Sequence, residues 1–295
     1  MPYIDANGIN TYYEVHGSGP PVVFIHGGYG GATSTLAPPS TPWIHDLSDR
    51  FTVITYDRRS CGRSTYPNAN YTFNDLVADL ASLINTLALE KPFLIGSSAG
   101  GPIAIQYALT HQEHISGLVL PNTSARLWEH PDRIGPKEII VERLEYLANY
   151  GEGLTYELIQ RQQARPNRFT LSSAGPGPQT RTARLQAIAR SREVQEKLAT
   201  LSLDKHRSYV LGELRNLGAY LSVDLRTTVK NLKSPTLVLH GDSDTQVPYQ
   251  LGKELSELIP NSDFVTISDA GHGLMSWPAT MIAIRSFLVN TVSRQ

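Results

Sequence analysis

The chain has 295 residues, of which 40% are hydrophobic, and this length can bury one large core or a core with an insertion. Its formal net charge is −1, and charges of both signs are interspersed along it. This excludes the strongly basic surface that binds nucleic acid or an anionic membrane. We therefore expect a small-molecule substrate, with no nucleic-acid or membrane partner, while the composition leaves the oligomeric state open.

The single cysteine, Cys61, excludes an internal disulfide and any metal site built from several cysteines. We expect it to be a packed structural residue, and we expect no metal or other cofactor. Residues 1–10 carry neither the positive nor the apolar segment of a secretory signal, and no eighteen consecutive residues are apolar. These features predict a cytoplasmic protein in a reducing compartment.

The first elements in chain order are two predicted strands joined by a turn. Residues 9–15 alternate between apolar and polar side chains, which predicts a strand, and the Gly/Pro-rich residues 17–20 predict a hairpin turn into the next run. Residues 22–25 are continuously apolar, as in a parallel strand that is buried on both faces. The glycine-rich residues 26–31 follow, and such a loop lets backbone N–H groups approach a ligand closely.

A further strand is predicted at residues 51–56, and a helix follows it. Thr72 is the predicted N-cap of that helix, with Asp75 at the acidic position of a capping box. The helix has an apolar stripe formed by Leu76, Leu80, Leu83, Ile84 and Leu87. A strand followed by an amphipathic helix is typical of a parallel sheet.

Residues 93–107 contain the motif on which the functional interpretation depends. Residues 93–95 predict a buried strand, the pattern after Gly100 is helical, and Gly-x-Ser-x-Gly occurs once in the sequence, between them. A serine on a tight strand-to-helix turn projects its hydroxyl, and small neighbours are needed because the strand and the helix nearly touch. Ser98 is the candidate nucleophile. Ser97 does not fit, because the glycines stand two residues either side of Ser98.

After a strand predicted at residues 117–120, the pattern becomes helical for about one hundred residues and then returns to strands and helices. The later elements are a strand at 236–240, a helix at 249–258, a strand at 264–267 and a helix from 278. This order predicts an α/β fold with a mostly parallel twisted sheet flanked by helices. We assign residues 1–121 and 233–295 to the core domain and 122–232 to an inserted helical cap, with a second independent domain as the alternative.

The ends of the later strands carry an acid and a histidine. Asp242 and Asp244 follow one predicted strand and His272 follows the last, so the chain order is serine, acid, histidine. A serine hydroxyl needs a general base, which His272 can provide, and the acid would hold the imidazole in the correct tautomer. The earlier strand, predicted at residues 117–120, is followed by Asn122 and not by an acid.

Five motifs in this order resemble the cap-bearing α/β-hydrolase superfamily. They are His26-Gly27, residues 57–64, residues 96–100, residues 241–244 and Gly271-His272. The resemblance implies the α/β-hydrolase fold with a catalytic triad of Ser98, Asp244 and His272. It places the acid at the end of Gly-x-x-Asp, which favours Asp244 over Asp242 and over Asp269.

The same resemblance implies an oxyanion hole and shows one departure from the family pattern. The implied donors are the backbone N–H groups of Ala99 and Gly28, with Tyr29 as a replacement for or a supplement to Gly28. Relatives carry Asp-x-Arg-Gly-x-Gly-x-Ser, whereas Ser60 occupies the position of the first glycine here. If that position needs a positive φ, Ser60 carries backbone strain. We expect Arg58 and Arg59 to be scaffold charges.

The serine nucleophile argues against the dehalogenases and epoxide hydrolases that this chain resembles, because they use an aspartate. The leading interpretation is a carboxylesterase-like serine hydrolase of small-molecule esters or lactones, acting through an acyl-enzyme. One alternative is a carbon–carbon bond hydrolase. Another is a proline-iminopeptidase-like enzyme, although Ala99 stands where those relatives often have Trp. The last is a non-catalytic ligand receptor with the same fold.

Four aromatic side chains are candidates for an apolar substrate pocket. Tyr29 lies within the glycine-rich residues 26–31 and Trp43 follows them in sequence, whereas Trp128 and Tyr146 lie in the predicted cap. Aromatic residues of amphipathic helices often belong to a core instead. The structure around each side chain is what distinguishes the two roles.

Overall fold

The computed structural model describes residues 2–30, 42–126, 141 and 202–294, and within them lie eight strands and six α-helices. The strands are β1 (Tyr3–Ala6), β2 (Ile9–His16), β3 (Pro21–Ile25), β4 (Thr52–Tyr56), β5 (Phe93–Gly96), β6 (Gly117–Pro121), β7 (Thr236–Gly241) and β8 (Ser262–Ile267). The helices are α1 (Pro42–Ser48), α2 (Phe73–Thr86), α3 (Gly100–Thr110), α4 (Leu203–Tyr220), α5 (Tyr249–Leu258) and α6 (Pro278–Val292).

All eight strands form one sheet in the order β1-β2-β4-β3-β5-β6-β7-β8. The two pairings that involve β2 are antiparallel, and the remaining five pairings are parallel. In the centre of the sheet, Val22 of β3 lies opposite Phe93 of β5, which in turn lies opposite Gly117 of β6. The predicted α/β class with a mostly parallel, helix-flanked sheet is confirmed.

The predicted hairpin between β2 and β3 is wrong. β2 pairs with β4, with His16 opposite Val53, because β3 is already flanked by parallel strands on both sides and has no free edge for β2. The observed hairpin joins β1 to β2 through Asn7 and Gly8, whose φ angles of 55° and 73° are those of a type I′ turn. Asn-Gly is the dipeptide that this turn prefers, so the signal was present in the sequence.

Successive side chains of the central strands point to opposite faces of the sheet and fill two apolar layers. Val23 faces the layer covered by α2, α3 and α5, whereas Val22 and Phe24 face the layer covered by α1 and α6. Both valines are completely buried. Continuous apolar strands are the expected pattern when helices cover both faces of a parallel sheet.

Helix α2 begins with the predicted capping box. The Asp75 carboxylate accepts hydrogen bonds of 2.7 Å from both the backbone N–H and the hydroxyl of Thr72. The predicted apolar stripe faces the core, with Leu76, Leu80, Leu83 and Ile84 buried and Leu87 partly buried.

Residues 122–235 lie between β6 and β7, although these two strands are direct neighbours in the sheet. The two ends of this long connection meet each other. The N–H of Leu225 donates to the carbonyl of Ala125 at 2.7 Å, and Arg126 forms an isolated antiparallel bridge with Asp224. Most of the proposed cap, 122–232, lies outside the described residues, so its division from the core stays a prediction. None of the described helices is long and apolar enough to span a membrane.

Candidate active site

Ser98 lies in the turn between β5 and α3 with a φ of 50°, in the left-handed region that is costly for a residue with a Cβ. The neighbouring glycines permit this turn. A Cβ at Gly96 would lie 2.7 Å from the Cβ of Ala104, and one at Gly100 would overlap the carbonyl oxygen of Ile25. The Gly-x-Ser-x-Gly motif is therefore a packing requirement, and it holds the half-buried Ser98 side chain at the carboxyl edge of the sheet.

The structure brings Ser98, His272 and Asp244 into one hydrogen-bonded chain. His272 Nε2 lies 2.9 Å from Ser98 Oγ, and His272 Nδ1 lies 2.8 Å from Asp244 Oδ2. The other carboxylate oxygen, Oδ1, accepts the backbone N–H groups of Gln246 at 2.8 Å and Val247 at 3.1 Å. An ionised carboxylate only accepts, so Nδ1 carries the imidazole proton and the Nε2 lone pair faces the serine hydroxyl.

A second histidine, His240, also contacts Asp244. No role was predicted for it from the sequence. His240 is completely buried, and its Nε2 lies 3.0 Å from the carbonyl of Val247 and 3.4 Å from Asp244 Oδ2. Burial raises the pKa of Asp244, but hydrogen bonds from His240 and His272 outweigh it and hold that pKa well below its usual range. Asp244 therefore stays ionised at neutral pH.

The rival acids are Asp242, which follows β7, and Asp269, which follows β8. The carboxylate of Asp242 accepts the N–H of Asp269 at 2.8 Å and the hydroxyl of Ser243 at 3.2 Å. Asp269 occupies a left-handed turn position, with a φ of 59°. Within the described part of the chain, Asp244 is the carboxylate that contacts His272.

Three backbone amides were predicted as oxyanion donors, those of Ala99, Gly28 and Tyr29. None of these three N–H groups donates to a backbone acceptor among the described residues. The loop of residues 27–30, which we call the oxyanion loop, lies against the nucleophile, since a Cβ at Gly27 would lie 2.8 Å from the Cβ of Ser98. Ala99 is the residue directly after the nucleophile, at the start of α3.

His26 connects the oxyanion loop to the segment that follows β4. Its Nδ1 lies 2.7 Å from the carbonyl of Gly27, and its Nε2 accepts the backbone N–H of Arg58 at 3.2 Å. Burial, followed by the nearby Arg58 charge, lowers the pKa of His26 to about 4. The neutral imidazole satisfies both contacts at once, so His26 acts as a structural residue.

The segment after β4 departs from the family pattern as the sequence indicated. Ser60 has a φ of 56°, so a serine occupies a left-handed position that glycine would adopt without strain. Arg59 forms a two-pronged ion pair with Asp79, at 2.8 and 2.6 Å. Cys61 is fully buried, and burial raises the pKa of its thiol to about 11, as expected of an inert structural cysteine.

Asn122, which follows β6, is a site residue that was not predicted from the sequence, because only an acidic residue was considered at this position. Its side-chain N–H₂ donates to the carbonyls of Gly271 at 3.1 Å and His272 at 2.5 Å, and its oxygen accepts the N–H of Gly241 at 3.2 Å. Asn122 is 1% exposed, with a φ of 47°. A single asparagine thus joins the ends of β6 and β7 to the loop that carries His272.

The candidate pocket residues have different positions. Trp43 is 6% exposed, and its ring centroid lies 4.6 Å from that of Phe24 in the layer under α1, so the structure places it in the core and corrects its assignment to the pocket. Tyr29 is half-buried beside Tyr220, with ring centroids 5.2 Å apart. Trp128 and Tyr146 lie outside the described residues. Among the described residues, no cluster of three or more His, Cys, Asp or Glu side chains is arranged to hold a metal ion.

One known protein family matches most of the chain. The family model of the alpha/beta hydrolase fold matches residues 20–279 of the chain. The chain belongs to the alpha/beta hydrolase family. The matched segment begins just before β3 and ends at the start of α6, so it includes Ser98, Asp244 and His272.

Several known proteins resemble the chain over most of its length. "Putative carbamate hydrolase RutD" of Yersinia enterocolitica is 27% identical over 267 residues, which cover 89% of this chain and 86% of that protein. "Probable proline iminopeptidase" of Leptolyngbya boryana is 27% identical and covers 90% and 85% of the two chains. The crystal structure of a bromoperoxidase from Bacillus anthracis is 28% identical, covers 95% of both chains and superposes with a TM-score of 0.71.

Proposed function

We propose that this protein is a serine hydrolase that cleaves a small-molecule carboxylic ester or lactone through an acyl-enzyme intermediate. The observation that carries the proposal is the chain of hydrogen bonds from Ser98 through His272 to Asp244, next to amides without acceptors among the described residues. Membership of the alpha/beta hydrolase family agrees with this chemistry but does not define the substrate.

In the proposed reaction, Ser98 Oγ attacks the substrate carbonyl carbon as its proton passes to His272 Nε2. Asp244 keeps the imidazole oriented and stabilises the cation that forms. The negative charge that develops on the carbonyl oxygen is bound by the N–H groups of Ala99 and Gly28, with Tyr29 as a further donor. His272 then returns the proton to the leaving alcohol, and water releases the acyl group by the same steps.

A substrate panel with active-site variants tests the proposal. The panel contains p-nitrophenyl esters of two, four and eight carbons, a six-membered lactone, a p-nitrophenyl carbamate, a β-diketone and proline p-nitroanilide. We expect ester or lactone cleavage that Ser98→Ala abolishes, together with labelling of the protein by a fluorophosphonate. The matched variant Ser97→Ala should keep both, because Ser97 lies outside the hydrogen-bonded chain.

Other results would change the conclusion in defined ways. Faster cleavage of the diketone, the carbamate or the prolyl amide than of any ester would keep the serine chemistry and move the protein to a different substrate class. Labelling that persists on Ser98→Ala, mapped by mass spectrometry to another residue, would reject Ser98 as the nucleophile. A wild-type protein that cleaves no compound and takes no label would support a ligand receptor.

A further inference from the structure

Arg58 is a buried cation that donates hydrogen bonds to neutral oxygens of the oxyanion loop and of one tyrosine. Its Nη2 donates to the carbonyl of Gly28 and, at 3.3 Å, to that of Gly27, and its Nη1 donates to the hydroxyl of Tyr220 at 3.3 Å. Arg58 is 2% exposed, and no carboxylate of the described residues forms an ion pair with it. Its neighbour Arg59 is paired with an acid, so of these two arginines only Arg58 lacks an ion-pair partner within the part of the chain that the structure describes.

The carbonyls that Arg58 binds belong to the same peptide units as the predicted oxyanion donors. The carbonyl of Gly27 shares a peptide unit with the N–H of Gly28, and the carbonyl of Gly28 shares one with the N–H of Tyr29. In a trans peptide the C=O and N–H groups point in opposite directions. A guanidinium that binds both carbonyls therefore fixes the direction of both N–H groups, and it also polarises them.

Tyr220 extends this contact to Ala99, the residue whose backbone N–H is the other predicted oxyanion donor. Its hydroxyl accepts from Arg58 and donates to the carbonyl of Ala99, the residue that follows the nucleophile. The tyrosine is 2% exposed, and its ring lies 5.2 Å from those of Tyr29 and Phe73. Arg58 and Tyr220 thus link the oxyanion loop to the residue that supplies the second donor.

We propose that Arg58 and Tyr220 are positioning residues of the oxyanion hole, and that the desolvated charge of Arg58 helps to stabilise the oxyanion. The inference rests on the proposed serine hydrolase function. Neither side chain is assigned a contact with the substrate. Their effect should appear where negative charge develops, which means in the transition state more than in substrate binding.

Steady-state kinetics with p-nitrophenyl butyrate separate these effects. Arg58→Met removes the charge and the hydrogen bonds while it keeps an unbranched side chain, and we expect kcat to fall about 10²-fold with KM changed less than about threefold. Arg58→Lys keeps the charge and should recover part of the missing kcat. Tyr220→Phe removes the hydroxyl but keeps the ring, so it should fold and show a kcat about tenfold below that of the wild type.

A transition-state analogue provides a second readout. Ser98 Oγ adds to the carbonyl of a trifluoromethyl ketone and forms a hemiketal oxyanion, with the serine proton transferred to His272. We expect Arg58→Met and Tyr220→Phe to weaken binding of this inhibitor by the same factors as kcat. Binding of the matched methyl ketone, which develops little negative charge, should change less than about threefold.

Arg59→Lys is the matched control. It should lower the melting temperature while it leaves kcat and inhibitor binding of the folded protein unchanged, because Arg59 contacts Asp79 and not the loop. The inference would be overturned if Arg58→Met had wild-type kcat and inhibitor affinity. If Arg58→Met does not fold, wild-type values in Tyr220→Phe would overturn it. An equal loss of kcat in Arg59→Lys would also overturn it. Ester hydrolysis that depends on Ser98 would leave the proposed function intact in each case. A wild-type protein without that activity would instead reject the function itself.

Discussion

Asp244 is held on both carboxylate oxygens, by two backbone N–H groups on one and by two histidines on the other. Asp244→Asn would place an N–H₂ group or an uncharged oxygen against His272 Nδ1. The wrong imidazole tautomer is then favoured, and the imidazolium loses its counter-charge. We expect kcat for p-nitrophenyl butyrate to fall by about 10⁴-fold.

The matched variant for this prediction is Asp242→Asn. Asp242 accepts the N–H of Asp269 and does not contact His272 in the structure, and the side-chain oxygen of Asn can accept the same hydrogen bond. We expect kcat to change less than about threefold. Should Asp242→Asn prove the more damaging of the two, the acid would have to be reassigned to Asp242.

At the level of residues, the sequence located Ser98, Asp244 and His272 because each follows a predictable strand, and parallel strands bring their carboxyl ends to one edge of the sheet. Their catalytic roles stay predictions. The contacts of Asn122 could not be inferred, since its side chain binds a carbonyl 149 positions away. Arg58 was expected to be a scaffold charge, and its contact with Tyr220 was not predicted, because Tyr220 lies 162 positions away, where no local pattern indicates it.

Among the elements, the turn after β4 contains a local strain that can be measured. Ser60 has a φ of 56°, a conformation that costs an L-residue about 1–2 kcal/mol and costs glycine nothing. Ser60→Gly should raise the free energy of unfolding, measured by urea titration, by about 0.5–1 kcal/mol after the greater chain entropy of unfolded glycine is subtracted.

Ser60→Ala is the control for this change, because alanine loses the hydroxyl but keeps the Cβ that causes the strain. The midpoint of its urea transition should not rise. An equal gain in stability for the alanine and glycine variants would show that the buried hydroxyl, and not the backbone conformation, is what destabilises the turn.

Most strands and helices of the core were predictable because helices cover both faces of the sheet and make its strands continuously apolar. The bounds of α5, Tyr249–Leu258, agree with the prediction. The strand with which β2 pairs could not be predicted from apolar patterns. Alternation of side chains identifies a strand but not its neighbour, and the turn at residues 17–20 leads to β3 without pairing the two strands.

In the whole molecule, the long connection between β6 and β7 touches the site at both of its ends. At its start, Thr123 Oγ1 donates to the carbonyl of Ser98 at 2.7 Å, and near its end Tyr220 of α4 binds the carbonyl of Ala99. We therefore expect side chains of residues 122–232 to touch the acyl and leaving groups of the substrate. Truncation of Trp128 or Tyr146 to Ala should change the ranking of acyl chain lengths, by roughly 1–3 kcal/mol in discrimination for each apolar group removed from the pocket wall.

The reaction of Ser98 with a small fluorophosphonate is the control for these two variants, and its rate should not change. The measurement is kcat/KM for esters of two, four and eight carbons. If both variants keep the wild-type ranking of chain lengths while remaining folded, the two aromatic residues do not line the pocket.

The order of motifs along the chain was enough to predict the architecture of the whole molecule, because the αβ alternation and the serine, acid, histidine order together suit the alpha/beta hydrolase fold. The substrate was not predictable. The nucleophile and the oxyanion donors act on a carbonyl that esters, lactones and amides share, so their identity carries no information about the groups on either side of it.

The chain contains one cysteine, and in the folded protein Cys61 is buried with a thiol pKa raised to about 11. Maleimide dyes, which react with exposed thiolates, should find no native target. Two cysteines introduced at exposed positions, Val141→Cys in the connection and Ile282→Cys on α6, would then be the only labelled sites. Single-molecule energy transfer between them would report the distance from the connection to α6 during turnover, without prior removal of a native cysteine.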